Sequence, residues 1–289
     1  MLHEDVGSAL HNVGIAHLRL ENHYNALQSF EEAVRVRKGA LGRDHPQVAV
    51  SLVKVGISLL LLKRLEDSLW IFREALTVRK HGLGALHPST ARIYNNIGCV
   101  HVEFRELKEA RRAFEAALDI QRNALVNEPE NGPILFGAAT TLQNLGYLYQ
   151  KRGMQEKAAM VLNEALTLQE KVLGENHPTV LASLDRLAEA SAAANLGTAA
   201  LKQYNELLER LYEGEATFSK LQESTILYKM SKVHKQNHDL DSQIGKLQLA
   251  LKVLRAAEMT KEKDVLEQEI QKDLLLARQR LAKEELEWV

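Results

Sequence analysis

Apolar and small residues recur along this chain with the spacing of α-helices. Near the start, Leu10, Val13 and Gly14 lie at i, i+3 and i+4, and His17 continues the stripe at i+7. This spacing follows one face of an α-helix, whereas a strand would alternate. A second segment with helical spacing begins twelve residues after Gly14, and the same two-segment arrangement returns along the chain. Each unit is therefore predicted to be a pair of helices.

One position in each first segment marks the register of the units. Its occupants are Gly14, Gly56, Gly98, Gly146 and, in two weaker copies, Ala188 and Ser231. A glycine inside a helix costs about 1 kcal/mol relative to alanine, so close approach of the paired helix is expected to compensate. The small residues that would allow this approach are Ala26, Ser68, Ala110 and Ala158, and the rings expected to fill the space between units are Phe30, Phe72 and Phe114.

Stacking of these units determines the predicted fold. A helix pair cannot bury its apolar faces alone, so neighbouring pairs must pack on one another. The prediction is an all-α fold, a right-handed α-solenoid of about six helix pairs. The predicted domain covers residues 1–258, with repeats at 5–42, 43–84, 85–126, 133–174, 175–214 and 217–258.

The junctions between units carry their own sequence signals. The motif Leu-Gly-x-x-His-Pro stands at 41–46, 83–88 and 173–178. Its glycine is expected to end a helix with positive φ, and the residue before proline to start the next helix. The third junction has six extra residues around Asn-Glu-Pro-Glu-Asn-Gly-Pro, 127–133, and is predicted to be a longer exposed loop.

The segment 259–289 contains no glycine and no proline. Helical spacing is kept by Leu266, Ile270, Leu274, Ala277, Leu281 and Trp288. We expect a long C-terminal helix that caps the open end of the solenoid, because terminal repeats need a polar outer cover. A coiled-coil segment for dimerisation is the alternative.

These motifs resemble the tetratricopeptide repeat, in the 42-residue form of kinesin light chains. The resemblance is carried by Tyr-Asn-Asn-Ile-Gly at 94–98, by Leu-Gln-Asn-Leu-Gly at 142–146 and by the His-Pro junctions. It implies a scaffold or adaptor that binds a protein or an extended peptide in a concave groove lined by the first helices. It also implies kinesin heavy chain or cargo complexes as partners. Because the chain starts almost inside repeat one, we expect a solenoid-only relative or a fragment.

Helix geometry and this resemblance together predict which residues line the groove. On each first helix, the side turned away from its paired second helix carries these residues and is called the groove stripe below. Along the chain the groove stripe changes from apolar to polar. Its members are His11, Ile15, Leu18, Val50, Val53, Ile57, Leu60, Leu61, Arg92, Asn95, Gln143, Tyr147 and Lys151. The aliphatic part either receives an apolar part of a ligand, with the polar members holding the ligand backbone, or is covered core.

The composition argues against nucleic-acid binding and against membrane insertion. Lys plus Arg (37) and Asp plus Glu (38) nearly cancel, so nucleic acid is not expected as a partner. The most apolar run, Ile57–Leu62, is interrupted by Ser58 and is far shorter than the roughly 20 residues of a spanning helix, so no membrane insertion is expected. The single cysteine, Cys99, fits a reducing compartment, and a cytoplasmic location is the default.

The histidines and the cysteine of the chain give little support for a metal site or a catalytic site. His45, His87 and His177 are one or more repeats apart and cannot converge on one metal ion. Cys99 has no adjacent basic residue and is expected to be an inert thiol. We therefore expect a non-enzymatic protein without metal or cofactor. The alternatives are a regulatory fragment of a larger signalling protein and, with less support, a helical-repeat RNA-binding protein.

Overall fold

The computed structural model describes residues 4–214 and 219–287, and this part of the chain is all-α. Each of the six predicted repeats contains one helix pair, and a long helix follows. The helices are α1 (Glu4–Arg19), α2 (His23–Leu41), α3 (Pro46–Leu61), α4 (Leu65–Leu83), α5 (Pro88–Glu103), α6 (Leu107–Asn127), α7 (Gly132–Lys151), α8 (Gln155–Leu173), α9 (Pro178–Ala193), α10 (Gly197–Glu213), α11 (Lys220–Gln236), α12 (Leu240–Arg255) and α13 (Lys261–Glu287).

The chain divides into two compact units, Met1–Leu148 and Tyr149–Val289, with the boundary inside α7. In the first unit α1 to α6 pack in chain order, and α2 and α4 each pack against their own first helix and against the next one. In the second unit α8 to α13 also pack in chain order. This stacking of helix pairs confirms the α-solenoid fold class.

An aromatic ring packs directly on the register glycine of each of the first three pairs. Phe30, Phe72 and Phe114 are almost fully buried. A Cβ on Gly14 or Gly56 would lie 2.6 Å from the Cε1 atom of Phe30 or Phe72, and Gly98 leaves still less room beside Phe114. The rings therefore lie inside each pair, against the glycine backbone. Phe30 and Phe72 also belong to one buried cluster with residues of α3 and α5, so their role between units stays a prediction.

Substitution at Gly98 tests this contact. Gly98→Ala is expected to lower the free energy of unfolding by about 1–3 kcal/mol, because the new methyl group overpacks the site beside Phe114. Gly245→Ala, in α12, is the matched control, since no atom lies within 4 Å of the Cβ that it would add. There the helix propensity of alanine should raise stability by up to about 1 kcal/mol. Urea denaturation measures both, and equal effects would contradict the account.

The turn within each pair is the same structure six times. One residue takes a left-handed conformation, and the next N–H donates to the carbonyl five residues earlier at 2.9–3.0 Å. This is the Schellman end of a helix, where glycine is preferred. Only the fourth turn has glycine; the positions are Glu21, Lys63, Arg105, Gly153, Asn195 and His238, with φ between 57° and 70°.

Arg105 offers a stabilising substitution at this turn. Arg105→Gly should raise the free energy of unfolding by about 0.5–1 kcal/mol, because relief of left-handed strain outweighs the entropy of glycine. Gly153→Ala is the reverse change at the equivalent position and should lower it by about 1 kcal/mol. Thermal denaturation checks the pair. Destabilisation by Arg105→Gly would show that this turn carries no strain.

The His-Pro junctions are helix caps. The Nδ1 atoms of His45, His87 and His177 each accept a hydrogen bond at 3.2 Å from the N–H two residues later. The following proline occupies the first helical position. Gly42, Gly84 and Gly174 end the preceding helices with φ of 91°, 94° and 82°. The predicted roles of glycine and histidine at these junctions are confirmed.

The third junction differs from its prediction. The connection is only four residues, Glu128–Asn131, as long as Gly42–His45. The six extra residues lengthen the two helices instead: α6 has 21 residues where α4 has 19, and α7 has 20 where α3 has 16. Asn131 accepts a hydrogen bond from the Ile134 N–H at 3.2 Å, and Pro133 fits the first turn of α7. The predicted long loop is therefore wrong.

The last helix packs on the final pair. Ile270, Leu274 and Ala277 on α13 are buried in the core of the second unit, and the Tyr228 hydroxyl donates to Asp273 at 3.0 Å. These contacts support the capping interpretation over a free coiled-coil segment. The apolar stripe of the C-terminal helix is predicted to continue to Trp288, which lies outside the described residues. Part of the junction after Leu211 lies outside them as well.

Candidate partner-binding surface on the first helices

The aliphatic half of the groove stripe lies on α1 and α3. Ile15, Leu18, Val53, Ile57 and Leu60 are all partly buried and pack with one side against the core of the first unit. Val50 is also partly buried, and Leu61 is 46% exposed at the end of α3. The stripe is therefore neither closed core nor fully open surface. Each side chain keeps part of its apolar area in solvent.

His11 is not a surface member of this stripe. Its side chain is 7% exposed, its ring packs edge-on against Phe30 at 5.2 Å, and its Nδ1 lies 3.2 Å from the Ser51 hydroxyl. Burial lowers the pKa of His11 to about 4, and the charges of Arg37 and Lys54 act in the same direction. The expectation that His11 lines the groove is wrong, because Phe30 and α3 enclose its ring.

This burial predicts a pH dependence of stability. The pKa of His11 is lower in the folded state than its ordinary value of 6.5, so the unfolded chain binds the proton more tightly. Stability is fully present above pH 6.5 and is lost as pH falls towards about 4, by roughly 2 kcal/mol for this group. His11→Gln should remove that component. Urea denaturation at pH 7 and pH 4.5 measures it, and an unchanged pH dependence in the variant would contradict the assignment.

The polar half of the stripe begins on α5. Arg92 is exposed, whereas Asn95 is partly buried and accepts a hydrogen bond at 3.0 Å from Asn144 on α7. Asn144 also lies 3.8 Å from the Cys99 sulfur. Burial, and then the charge of Glu103, raises the pKa of the Cys99 thiol to about 11. Cys99 is therefore a neutral packing residue at pH 7, which agrees with the expectation of an inert thiol.

The last three stripe residues lie on α7. Gln143 is partly buried and Tyr147 is 48% exposed, both at the end of the first unit. Lys151 is exposed and belongs to the second unit. The first unit therefore carries the whole stripe apart from Lys151. Its solvent-accessible members change from aliphatic and partly buried on α1 and α3 to polar on α5 and α7.

One register next to the stripe lies two residues before the register glycine. Asn144 occupies it in α7 and reaches back to the stripe positions of α5. Lys229 occupies it in α11, where its Nζ donates to Asp185 at 2.7 Å and forms an ion pair with Glu189 at 2.7 Å. This register therefore links successive first helices. Aligning the two weak repeats with the strong ones would have placed Asp185 and Glu189 on the stripe.

The described residues contain neither a cluster of metal ligands nor a helix suited to a membrane. Within 4–214 and 219–287, no three His, Cys, Asp or Glu side chains come together as ligands of one ion would. In the same ranges, no helix combines the length and the apolar character that crossing a bilayer demands. The groove stripe is therefore the surface that carries the functional proposal.

Sequence and fold comparisons agree on the family. Tetratricopeptide repeat profiles match residues 5–81, 52–123 and 138–179, which together exceed half of the chain. No curated protein shows detectable sequence similarity. Among solved structures, the fold is similar to the nearly identical TPR-like repeats of a Podosopora anserina protein assigned to the kinesin light chains. The TM-score is 0.61 at 18% identity, over 75% of this chain and 100% of that one.

Two further structures show the same likeness. BtubC (BKLC) from P. vanneervenii has a TM-score of 0.63 at 18% identity, over 83% of this chain and 94% of that one. YrrB, described as a TPR protein with an unusual peptide-binding site, has a TM-score of 0.53 at 18% identity, over 84% and 97%. At these identities the likeness concerns the fold. The profiles and the six observed helix pairs establish that the chain belongs to the tetratricopeptide repeat family.

Proposed function

We propose that this protein is a non-enzymatic adaptor that binds a partner protein through the groove stripe of its first unit. The observation that carries the proposal is the row of partly buried aliphatic side chains on α1 and α3, which ends at the exposed Leu61 and is followed by polar side chains on α5 and α7. Such a surface suits a peptide with one apolar end and one polar end. The tetratricopeptide fold itself supports a protein-interaction scaffold.

The aliphatic end would supply most of the affinity. Apolar surface removed from water contributes roughly 25 cal/mol per Å², and a few buried anchors dominate most interfaces. Ile57 and Leu60 already pack with one side against the core, so they lose little side-chain freedom when a ligand covers them. Their fixed position lowers the entropic cost of binding.

The polar end would set the orientation of the peptide. Arg92 and Asn95 lie on α5, and Tyr147 presents a half-exposed ring on α7. Arginine and tyrosine are enriched among the residues that dominate protein interfaces. A ligand that is apolar at one end and carries acceptors at the other would bind in one direction only.

The resemblance to kinesin light chains adds a finer proposal about the partner. The structures most like this chain include repeats assigned to that family and a TPR protein described as having a peptide-binding site. We infer kinesin heavy chain or a cargo complex as the partner class, and a cytoplasmic location. The partner class rests on this resemblance, and the location rests on the single cysteine, which fits a reducing compartment.

Affinity capture followed by titration tests the surface. Leu61→Glu and Arg92→Ala each change an exposed stripe residue, and Trp70→Ala changes a residue of α4 that is 65% exposed, outside the stripe. A partner captured by the wild type should bind both stripe variants at least about tenfold more weakly and the control unchanged. Circular dichroism would verify that all three are folded. Equal loss in the control, or no loss in the stripe variants, would place the binding surface elsewhere.

A further inference from the structure

One side of each first helix is buried against the preceding helix pair. Its four positions lie eight, five and one residues before the register glycine and two residues after it. In α3, which packs on α2, they hold Val48, Ser51, Val55 and Ser58, all at most 2% exposed. Ser51 accepts a hydrogen bond from Arg37 on α2 at 2.8 Å. The four equivalent residues of α5 are at most 8% exposed.

α1 exposes this same side to solvent. The four positions hold Val6, Ala9, Val13 and Ala16, and all four residues are exposed, the two valines by 50% and 48%. Leu20, one turn further along, is 76% exposed. These five residues, called the α1 end face below, are all apolar, and within the described part of the chain they have no covering helix. A contiguous exposed apolar surface of this kind marks an interaction site.

The α1 end face is self-complementary in shape. Its residues follow one another at steps of three, four, three and four, which is the spacing of the seam between two paired helices. Valine and alanine alternate along it. An antiparallel second copy therefore sets Val6 of one copy against Ala16 of the other, and Ala9 against Val13. Large side chains then meet small ones, so the two helices interdigitate.

An open cavity marks the C-terminal end of this face. Its volume is about 580 Å³, and it is lined by Asn12, Ile15, Ala16, Arg19 and Leu20. In the antiparallel arrangement Val6 of the second copy packs on Ala16, beside this cavity. The apolar side chain therefore has room at the place where the pairing puts it.

The charges at one edge of the face select the antiparallel direction. Asp5, Asn12 and Arg19 are seven residues apart and so lie along the same edge, with the acid in the first turn of α1 and the base in the last. In an antiparallel pair Asp5 of each copy lies beside Arg19 of the other. Asn12 meets its own copy, and an amide both donates and accepts. A parallel pair would instead bring like charges together.

We propose that α1 pairs antiparallel with α1 of a second copy, which gives a dimer with twofold symmetry. The second copy supplies the cover for α1 that α2 supplies for α3. The interface is about 24 Å long, because α1 has 16 residues, and it is smaller than a standard protein interface. The expected dissociation constant is therefore micromolar. The dimer goes beyond the proposed function, since the end face shares no residue with the groove stripe, and it would present two stripes to a partner with two binding segments.

Sedimentation equilibrium of the full chain over the micromolar range tests the dimer. The wild type should pass from monomer to dimer as its concentration rises. Val13→Glu should weaken dimerisation by about tenfold or more, because it places two charges in the apolar seam. Val265→Glu is the matched control on α13, where Val265 is 58% exposed, and it should dimerise as the wild type does. Both residues are exposed in the single copy, so circular dichroism should show wild-type folding.

Two results would overturn the proposal. One is a wild type that stays monomeric throughout the micromolar range. The other is a dimer that survives Val13→Glu, above all if Val265→Glu abolishes it, since the contact would then lie on α13.

Charge reversal tests the direction of the pairing. Asp5→Arg and Arg19→Asp should each weaken the dimer by about threefold or more, because each turns two opposite-charge contacts into like-charge contacts. The double variant should return to nearly wild-type affinity, since opposite charges face each other again. In a parallel pair the double variant would keep both repulsions. Losses that add in the double variant would therefore contradict the antiparallel pairing.

Partner capture separates this interface from the groove function. Val13→Glu leaves the groove stripe intact, so the monomeric variant should still bind a partner peptide that has a single binding segment. A chain that binds its partner through the groove stripe but never dimerises keeps the proposed function and loses this interface.

Discussion

The packing of a phenylalanine ring on a glycine backbone is the constraint on which the first three helix pairs depend. Phe30, Phe72 and Phe114 lie where a side chain on the facing glycine would be. The contact fixes how closely the two helices approach, and the Ser68 hydroxyl adds a hydrogen bond to the Gly56 carbonyl at 2.8 Å. Because the pair is held at one separation, the next first helix meets an unchanged surface. The same register therefore recurs from repeat to repeat.

A fixed register lets single substitutions change the chemistry of a surface while the backbone stays the same. Arg37 and Arg79 occupy one position in successive repeats, and the two serines that accept hydrogen bonds from Arg37 are replaced by Val50 and Ile93 one repeat later. The position of Asn144 is Lys229 in α11, where an ion pair replaces an amide contact. The groove stripe likewise changes from aliphatic to polar. In this fold the packing fixes where each side chain lies, and the residue type at that position sets the chemistry of the surface.

The sequence predicts the features that depend on local interactions. Helix periodicity identifies the six pairs, and Gly-x-x-His-Pro identifies the caps, because both are decided within a few residues. Contacts between helices were harder. The groove stripe follows from helix geometry alone, which does not show that the His11 ring is enclosed between Phe30 on α2 and Ser51 on α3. At the third junction the breaker-rich sequence suggested a loop, but Gly132 and Pro133 fit the first turn of a helix as well as a coil.

A double-mutant cycle at Gly56 and Phe72 tests the central claim most directly. Gly56→Ala alone should be strongly destabilising, and Phe72→Leu alone should cost the apolar area of the ring. If the ring lies on the glycine, the double variant should be more stable than the sum of the single effects implies, by at least about 1 kcal/mol, since the smaller side chain makes room for the methyl group. Additive effects within about 0.5 kcal/mol would contradict the account.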